Sequence, residues 1–148
     1  APHCKKYEDY DRVMDAGASS KNIYFIRYAD LILLYAECLL AENDLAGAKQ
    51  QVIRVRNRAK VSTPITASNN TEMLDFIYEE RMRELGMEGW RRMDLIRRGA
   101  DYFAAQVDKY NPFAKGNVQP YHAFYPIPTN EINMNDGIGA EDQNEGYK

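Results

Sequence analysis

The chain has 148 residues, of which 45% are hydrophobic and 28% are charged, so it is long enough for one domain with a substantial core. Its net charge of −3 excludes a strongly basic protein, and no nucleic acid is expected as a partner. The most apolar stretch, residues 23–41, contains Arg27, Asp30 and Glu37, whereas a membrane-spanning helix needs about 20 predominantly apolar residues without such interruptions.

Residues 22–43 form the longest predicted helix, and their side chains are apolar on nearly every face. We therefore expect this helix to be buried on several sides, with Cys38 as a small buried hydrophobe. Because an unpaired buried charge is very costly, we expect Arg27 to pair with an acid, and the expected partner is Asp30 or Glu37. The alternative use of these acids, a buried carboxylate that acts as a general acid, stays open.

A second helix is predicted to begin at Leu45, where Asp44 is a good N-cap residue. Apolar residues recur along it at helical spacing: Leu45, Ala48, Val52, Val55 and Ala59. Ala36 and Ala48 are small enough to let two antiparallel helices approach closely. Together the two segments predict a helical hairpin of the tetratricopeptide type.

A second helical hairpin is predicted within residues 74–99, and Asn69 and Glu72 fit a weak capping box before it. One face of its first helix is apolar, with Leu74, Ile77, Tyr78, Met82 and Leu85. A glycine-containing break then places Trp90 at the corner before the second helix, residues 91–98.

The charged residues of these helices are spaced to form structural ion pairs. Arg81, for example, precedes Glu84 by three residues, which puts both side chains on one helix face. A catalytic carboxylate usually needs surroundings that shift its pKa, and a glycosidase needs two opposed carboxylates, so we predict no catalytic residue and no enzyme. The residues expected in structural ion pairs and in the core are Arg27, Asp30, Glu37, Arg81, Glu84, Trp90 and Asp94.

The sequence predicts neither a metal site nor a cofactor. His3 and His122 are isolated, and the two cysteines, Cys4 and Cys38, make neither a zinc site nor a disulfide framework. The Asn-Asp-Gly run at residues 135–137 does not fit the register of an EF-hand loop, although other sets of calcium ligands stay open.

After a short predicted helix over residues 100–110, the chain becomes irregular and contains four of its six prolines. We expect this segment, residues 111–148, to pack on the helical hairpins of residues 22–110. Residues 1–148 would then form one all-α domain.

Aromatic side chains on irregular backbone are the candidates for ligand binding. A sugar site needs flat aromatic faces and a few polar groups, and the candidate ligand residues are Tyr7, Tyr10 and Tyr121. Phe124 is a further aromatic candidate for sugar stacking, although we favour the interpretation that Phe124 and Tyr125 pin the proline-rich segment onto the helices.

Four segments, taken in order, resemble the C-terminal part of the SusD/RagB family of outer-membrane nutrient-binding lipoproteins. They are NIYFIRYADLILLYAECLL (residues 22–40), RVRNRAKV (54–61), IYEERMRELGMEGWRRMDLIRRG (77–99) and FYPIPTNEINMN (124–135). The tail QNEGY (143–147) matches the usual end of the family, Gln-Asn-Pro-Gly-Tyr, with Glu145 in place of proline.

The resemblance implies an all-helical fold with tetratricopeptide-like hairpins and a role in binding a glycan or other nutrient. It implies a SusC-like TonB-dependent transporter as partner, at the cell surface of the outer membrane. Attachment to the membrane would come only through a lipidated N-terminal cysteine, and Cys4 is not that residue because no signal segment precedes it. The N-terminal half of the parent protein, which carries many of the family's ligand contacts, is expected to be absent from this chain.

The sequence therefore predicts a non-catalytic subunit that captures a nutrient, most simply an oligosaccharide, and delivers it to a transporter. The alternative function is a protein-interaction scaffold that uses the tetratricopeptide-like hairpins as a peptide groove.

Overall fold

The computed structural model describes residues 5–10, 19 and 21–148, and the secondary structure in this part of the chain is helical throughout, with no strand. This confirms the predicted all-α fold with helical hairpins. The helices are α1 (Tyr28–Ala41), α2 (Leu45–Arg58), α3 (Asn70–Glu84), α4 (Arg91–Ile96), α5 (Ala100–Tyr110) and α6 (Thr129–Met134). Short 3-10 turns cover Lys5–Tyr7, Pro120–Ala123 and Ala140–Asp142.

The chain divides into two compact units, Ala1–Arg91 and Arg92–Lys148, which are called unit 1 and unit 2. None of the helices in the described ranges is both long enough and apolar enough to span a membrane.

Three helices of unit 1, namely α1, α2 and α3, share one apolar core. Helix α1 packs against α2 and α3, and α2 also packs against α3. The most completely buried side chains of this core are Leu33, Ala36, Ala48, Val52, Met73 and Ile77. Both alanines at the α1–α2 contact are therefore fully buried, as expected for residues that allow two helices to approach closely.

The turn between α1 and α2 depends on a left-handed residue and a side-chain cap. Asn43 has a φ of 63°, a conformation that asparagine tolerates better than most residues. The next residue, Asp44, accepts a hydrogen bond from the backbone N–H of Gly47 at 2.8 Å. The predicted N-cap of α2 is thus confirmed.

Helix α1 differs from the sequence prediction in its start and in its exposure. Residues 22–27 lie outside the helix, and the side chains of Ile23 and Phe25 are largely exposed. The expected burial on several sides is also wrong, because α2 and α3 cover only the face that carries Leu33 and Ala36. A stripe on α1 stays in contact with solvent, namely Tyr28, Leu31, Tyr35 and Cys38.

The exposed position of Cys38 corrects the expectation that it is a buried hydrophobe. Its thiol lies three residues beyond Tyr35 on the exposed stripe, whereas Ala36 and Leu40 of the same helix enter the core. Apolar character on all sides of a helix predicts burial only when neighbouring elements exist to cover each side.

Unit 2 is smaller and is built around α5. This helix packs against the 3-10 turn Pro120–Ala123, and the core joins Leu95, Phe103 and Ala123. The irregular segment that follows the turn is extended around its prolines, as predicted, and then forms the short helix α6.

Candidate functional site

The chain offers two kinds of site: buried groups of charged residues and surface clefts. The partners of the buried acids decide whether any of these carboxylates is available for chemistry. At the end of α3, Arg27 donates to both oxygens of Glu88, with Nη2 at 2.7 Å from Oε1, and to Glu84 with Nη1 at 2.8 Å from Oε1. Lys6 adds a 2.7 Å ion pair to Glu88, whose side chain is only 1% exposed.

The expectation that Arg27 pairs with an acid is therefore confirmed, whereas the expected partners, Asp30 and Glu37, are wrong. Arg27 precedes the first helical turn of α1 and has extended backbone angles, φ −121° and ψ 154°. The rule that residues three or four apart share a face applies only inside a helix. From its extended position, the side chain of Arg27 reaches Glu84 and Glu88 instead.

Asp30 and Glu37 belong to a different pair group that joins α1 to α3. The guanidinium of Arg81 lies 2.7 Å from Asp30 and 3.9 Å from Glu37, and Arg81 is 2% exposed. The expected pairing of Arg81 with Glu84 is not formed, because Arg81 is buried against α1 while Glu84 contacts Arg27 and Arg58.

Two further ion pairs involve buried acids. Arg56 of α2 lies 3.0 Å from Glu80 of α3, and both side chains are buried. In unit 2, Asp94 is 3% exposed and lies 3.2 Å from Arg97, one helical turn later. Acids of α1, α3, α4 and the turn after α3 thus contact arginines, and the five with the shortest contacts are Asp30, Glu80, Glu84, Glu88 and Asp94.

The pKa of Glu88 reflects this environment. Burial by itself raises the pKa of Glu88, but the hydrogen bonds from Arg27 and Lys6 outweigh burial and hold the pKa below its ordinary value. The hydrogen bonds to Glu88 also raise the pKa of Arg27. Such a carboxylate stays ionised at neutral pH, so it is a poor proton donor and a good anchor for the two cations.

Trp90, expected in the core, is half-buried at the corner before α4. Its ring meets Phe25 edge to face, with 6.1 Å between the ring centroids. Because Phe25 is 79% exposed, this aromatic contact lies at the surface of unit 1 rather than in its core.

The first cleft lies in unit 1, has a volume of about 530 Å³, and is lined by Tyr7, Ser19, Lys21, Ile23, Met87 and Glu88. It contains the first of the three tyrosines predicted as ligand residues. Three of the polar side chains that line it already have partners: Lys21 bonds the carbonyl of Glu8, Ser19 bonds Asp9, and Glu88 bonds Arg27 and Lys6.

The second predicted ligand residue, Tyr10, lies outside this cleft. Its side chain is 77% exposed, and its hydroxyl donates to the carboxylate of Glu8 at 2.5 Å. This hydrogen bond raises the pKa of Tyr10. The structure therefore does not place Tyr10 and Tyr7 in the lining of the same cleft.

The second cleft, here called the C-terminal cleft, lies in unit 2 and has a volume of about 750 Å³. Its lining residues are Ala100, Pro120, Tyr121, Phe124, Asn144, Glu145 and Gly146. It contains the third predicted ligand residue, Tyr121, and most of the tail that resembles the usual end of the family. Its volume falls within the range of about 300–1,000 Å³ typical of small-molecule sites.

The wall of the C-terminal cleft is held by a clamp between the tail and residues 124–127. Gln143 exchanges two hydrogen bonds with the backbone of Ile127, at 2.7 and 2.9 Å. Asn144 donates to the carbonyl of Tyr125 at 2.7 Å, and the Tyr147 hydroxyl donates to that of Phe124 at 3.0 Å. Hydrogen bonds from side chains of the tail to the backbone of residues 124–127 therefore fix the tail in place.

Gly146 lets the tail cross the ring of Tyr121. Its φ is +88°, and a Cβ atom built there would overlap the Tyr121 ring. The same ring meets Tyr147 edge to face at a centroid distance of 5.2 Å. Tyr121 thus supports the tail as well as lining the cleft.

Three polar groups in the C-terminal cleft have no hydrogen-bond or ion-pair partner within the described ranges: the Tyr121 hydroxyl, the Asn144 side-chain carbonyl and the Glu145 carboxylate. Beside them, the Phe124 side chain is 58% exposed, so the expectation that it pins the segment onto the helices is wrong. The backbone carbonyl of Phe124, held by Tyr147, fixes this residue instead.

Sequence reasoning missed Arg92, which orders the same region of unit 2. Its guanidinium lies over the rings of Tyr125 and Phe103, at 4.2 and 5.1 Å from their centroids. It also donates to the carbonyls of His122 and Ala123. An arginine next to another arginine carries no signal in the sequence that distinguishes this role.

Comparison with known proteins gives the chain a family. The model of the SusD family matches residues 1–147. A SusD-like protein of Formosa agariphila is 34% identical over 134 residues, and the starch-binding protein SusD of Bacteroides thetaiotaomicron is 32% identical over 133 residues. These alignments cover 87% and 86% of this chain but 25% and 22% of the relatives, so the chain spans about a quarter of their length. No solved structure matches the chain significantly. The chain belongs to the SusD family.

Proposed function

We propose that the protein containing this chain is a nutrient-binding subunit of the cell surface, which captures a glycan and passes it to a SusC-like TonB-dependent transporter. The observation that carries this proposal is the family match over residues 1–147, together with 32% identity to a relative named as a starch-binding protein. In this proposal, residues 1–148 form a C-terminal domain of the protein, and a lipid anchor on an earlier segment holds it at the outer membrane.

The commitment of the buried acids supports binding rather than catalysis. Glu80, Glu84 and Asp94 each contact a guanidinium, and hydrolysis of a glycosidic bond needs one carboxylic acid that can protonate the leaving oxygen. The arginine contacts of these three acids are those of structural ion pairs, which hold one element against another rather than face a substrate.

The test is electrophoresis of the full-length protein through gels that contain a neutral polysaccharide such as starch. Retarded migration relative to a polysaccharide-free gel is expected for a glycan-binding subunit. Unchanged migration across starch, xylan and mannan gels contradicts the proposal. Sugar release that is lost in Glu80→Gln or Glu84→Gln would identify an enzyme instead.

The second candidate function is a protein-interaction scaffold, and one specific observation favours it. The exposed stripe of α1 includes Tyr28, Leu31 and Tyr35, which are 67%, 51% and 53% exposed. Large aromatic and aliphatic side chains at such spacing are typical of surfaces that dock another helix. Specific retention of a peptide, unaffected by added glycan and lost in Leu31→Asp, would support this function over the first.

A further inference from the structure

We infer that the C-terminal cleft is a binding subsite for an uncharged sugar unit, with Phe124 as the stacking surface and Glu145 as the principal hydroxyl acceptor. This inference rests on the proposed glycan-binding function and adds to it a location, a set of contacts and a preference for neutral over anionic sugars. Neither the family match nor the names of the relatives assign a ligand to these residues.

The apolar part of the subsite is the ring of Phe124. A pyranose ring has an apolar face of C–H groups, and sugar sites cover that face with a flat aromatic side chain. Phe124 lines the cleft and exposes 58% of its surface, although its backbone carbonyl is fixed by Tyr147 at 3.0 Å. The ring is therefore available to a ligand while its backbone is held in place.

The polar part of the subsite consists of the three cleft groups that have no hydrogen-bond or ion-pair partner within the described ranges. The Glu145 carboxylate can accept hydrogen bonds from two adjacent hydroxyl groups, and bonds to a charged acceptor are stronger than those between neutral groups. The Asn144 side-chain carbonyl is a further acceptor, because its amide nitrogen is already bound to Tyr125. The Tyr121 hydroxyl can donate as well as accept.

Two features keep these groups in place before a ligand arrives. Gln143 and Tyr147 hold the tail on either side of Asn144 and Glu145. The contact of Gly146 with the Tyr121 ring fixes the floor of the cleft. A site that is ordered in advance loses less conformational entropy on binding, which favours a weakly binding ligand such as a sugar.

The charge of the cleft sets its selectivity. Glu145 is the charged residue among those that line it, and Glu141 and Asp142 precede it on the tail. No lysine or arginine is among the described residues that line the C-terminal cleft. Two like charges within hydrogen-bonding distance repel each other, so uronic acids and sulfated sugars should bind less well than neutral sugars.

The experiment is calorimetric titration of the intact protein at 0.15 M salt with maltoheptaose, xylohexaose and mannohexaose, and then with hexagalacturonate. For the tightest neutral probe, Phe124→Ala and Glu145→Gln are each expected to weaken binding about tenfold. The matched controls are Phe113→Ala, an aromatic residue that is 96% exposed outside the cleft, and Glu141→Gln, an exposed acid of the same tail. Both controls should change affinity less than about twofold.

Hexagalacturonate is expected to bind at least about tenfold more weakly than the neutral probe, and Glu145→Gln should narrow that difference. Binding that survives unchanged in both Phe124→Ala and Glu145→Gln overturns the subsite and leaves the proposed function standing. No binding of any neutral probe by the wild-type protein overturns the proposed function and the subsite together. Equal affinity for hexagalacturonate overturns the assigned selectivity.

Discussion

Glu88 is almost fully buried, and its charge is balanced by two cations that come from outside the helices. Arg27 and Lys6 both bond its carboxylate, and Lys6 also bonds the backbone carbonyls of Glu84 and Gly86. One carboxylate thus ties the 3-10 turn Lys5–Tyr7 and the segment before α1 to the end of α3. Removing its charge leaves both cations without their main partner, and uncompensated buried charge is strongly destabilising.

Replacing Glu88 by Gln is therefore expected to lower the free energy of unfolding by about 3 kcal/mol at pH 7. The measurement is urea unfolding followed by circular dichroism. The control is Glu79→Gln, which removes a half-exposed acid 3.6 Å from Arg83 and should cost less than about 0.5 kcal/mol. Equal effects of the two substitutions would show that the contacts of Glu88 with Arg27 and Lys6 do not stabilise unit 1.

The comparison of wild type with Glu88→Gln also predicts how the free energy of unfolding depends on pH. Because the pKa of Glu88 lies below its ordinary value in the folded state, the unfolded chain binds a proton more readily. The stabilisation is then complete above the ordinary carboxyl pKa of about 4.3 and is lost as the pH falls through the lower folded-state value. The difference in unfolding free energy between wild type and Glu88→Gln should shrink only below that pH, and a difference that grows on acidification would contradict this assignment.

Residue-scale patterns in the sequence predicted that the acids pair with arginines, but they did not predict all of the partners. The pairs of Arg83 with Glu79 and Glu80 within α3 do follow the helical spacing of four and three residues. That spacing failed for Arg27 and Arg81, whose partners lie 44 to 61 residues away in the chain. Such partners depend on the packing of whole helices, which a local pattern does not contain.

At the scale of elements, the caps explain where the helices begin. Asn69 accepts a hydrogen bond from the backbone N–H of Glu72 at 3.0 Å, as expected at the start of α3. The side chain of Glu72 returns to the N–H and hydroxyl of Ser68 rather than to Asn69, so the predicted capping box is displaced by one residue. These bonds also lower the pKa of Glu72, with the backbone bond from Ser68 as the largest cause.

Replacing Asn69 by Ala is expected to reduce the free energy of unfolding by about 1 kcal/mol, because α3 loses its side-chain cap. Asn69→Asp preserves the acceptor oxygen and should keep nearly the full stability. Thermal unfolding of the three proteins measures this difference. A loss in Asn69→Asp as large as in Asn69→Ala would mean that the cap is not the source of the effect.

The tail of unit 2 gives a second prediction at this scale. Gly146→Ala should destabilise unit 2 more than Gly116→Ala, although both glycines have positive φ, +88° and +79°. At Gly146 the new methyl group overlaps the Tyr121 ring, whereas at Gly116 no atom lies within 4 Å of the new Cβ. The expected loss at Gly116 is about 1 kcal/mol from backbone conformation alone, and equal losses at both sites would contradict the proposed packing of the tail.

Element boundaries show what periodicity can and cannot predict. The helix predicted over residues 100–110 agrees with α5, and the one predicted to begin at Leu45 agrees with α2. The first helix was expected from residue 22 but begins at Tyr28, since apolar character continues through residues 23–26 without a helix. Apolar content alone does not distinguish a buried helix from an exposed apolar segment.

At the scale of the whole molecule, the family and the all-helical fold follow from the order and spacing of four segments, whereas the candidate site does not. Tyr121 was predicted on chemical grounds, but Asn144 and Glu145 become candidates only when the clamp brings the tail beside Phe124. The chain therefore combines a set of arginine-paired acids with a cleft whose polar groups are available.

This combination agrees with the proposed function, in which the protein binds a glycan and leaves it chemically unchanged. The most direct measurement is chromatography of a neutral oligosaccharide after prolonged incubation with the intact protein. Co-elution of the oligosaccharide with the protein, followed by its recovery at full length, is the predicted result. An oligosaccharide that elutes apart from the protein, or one that is recovered in shortened form, would contradict the claim.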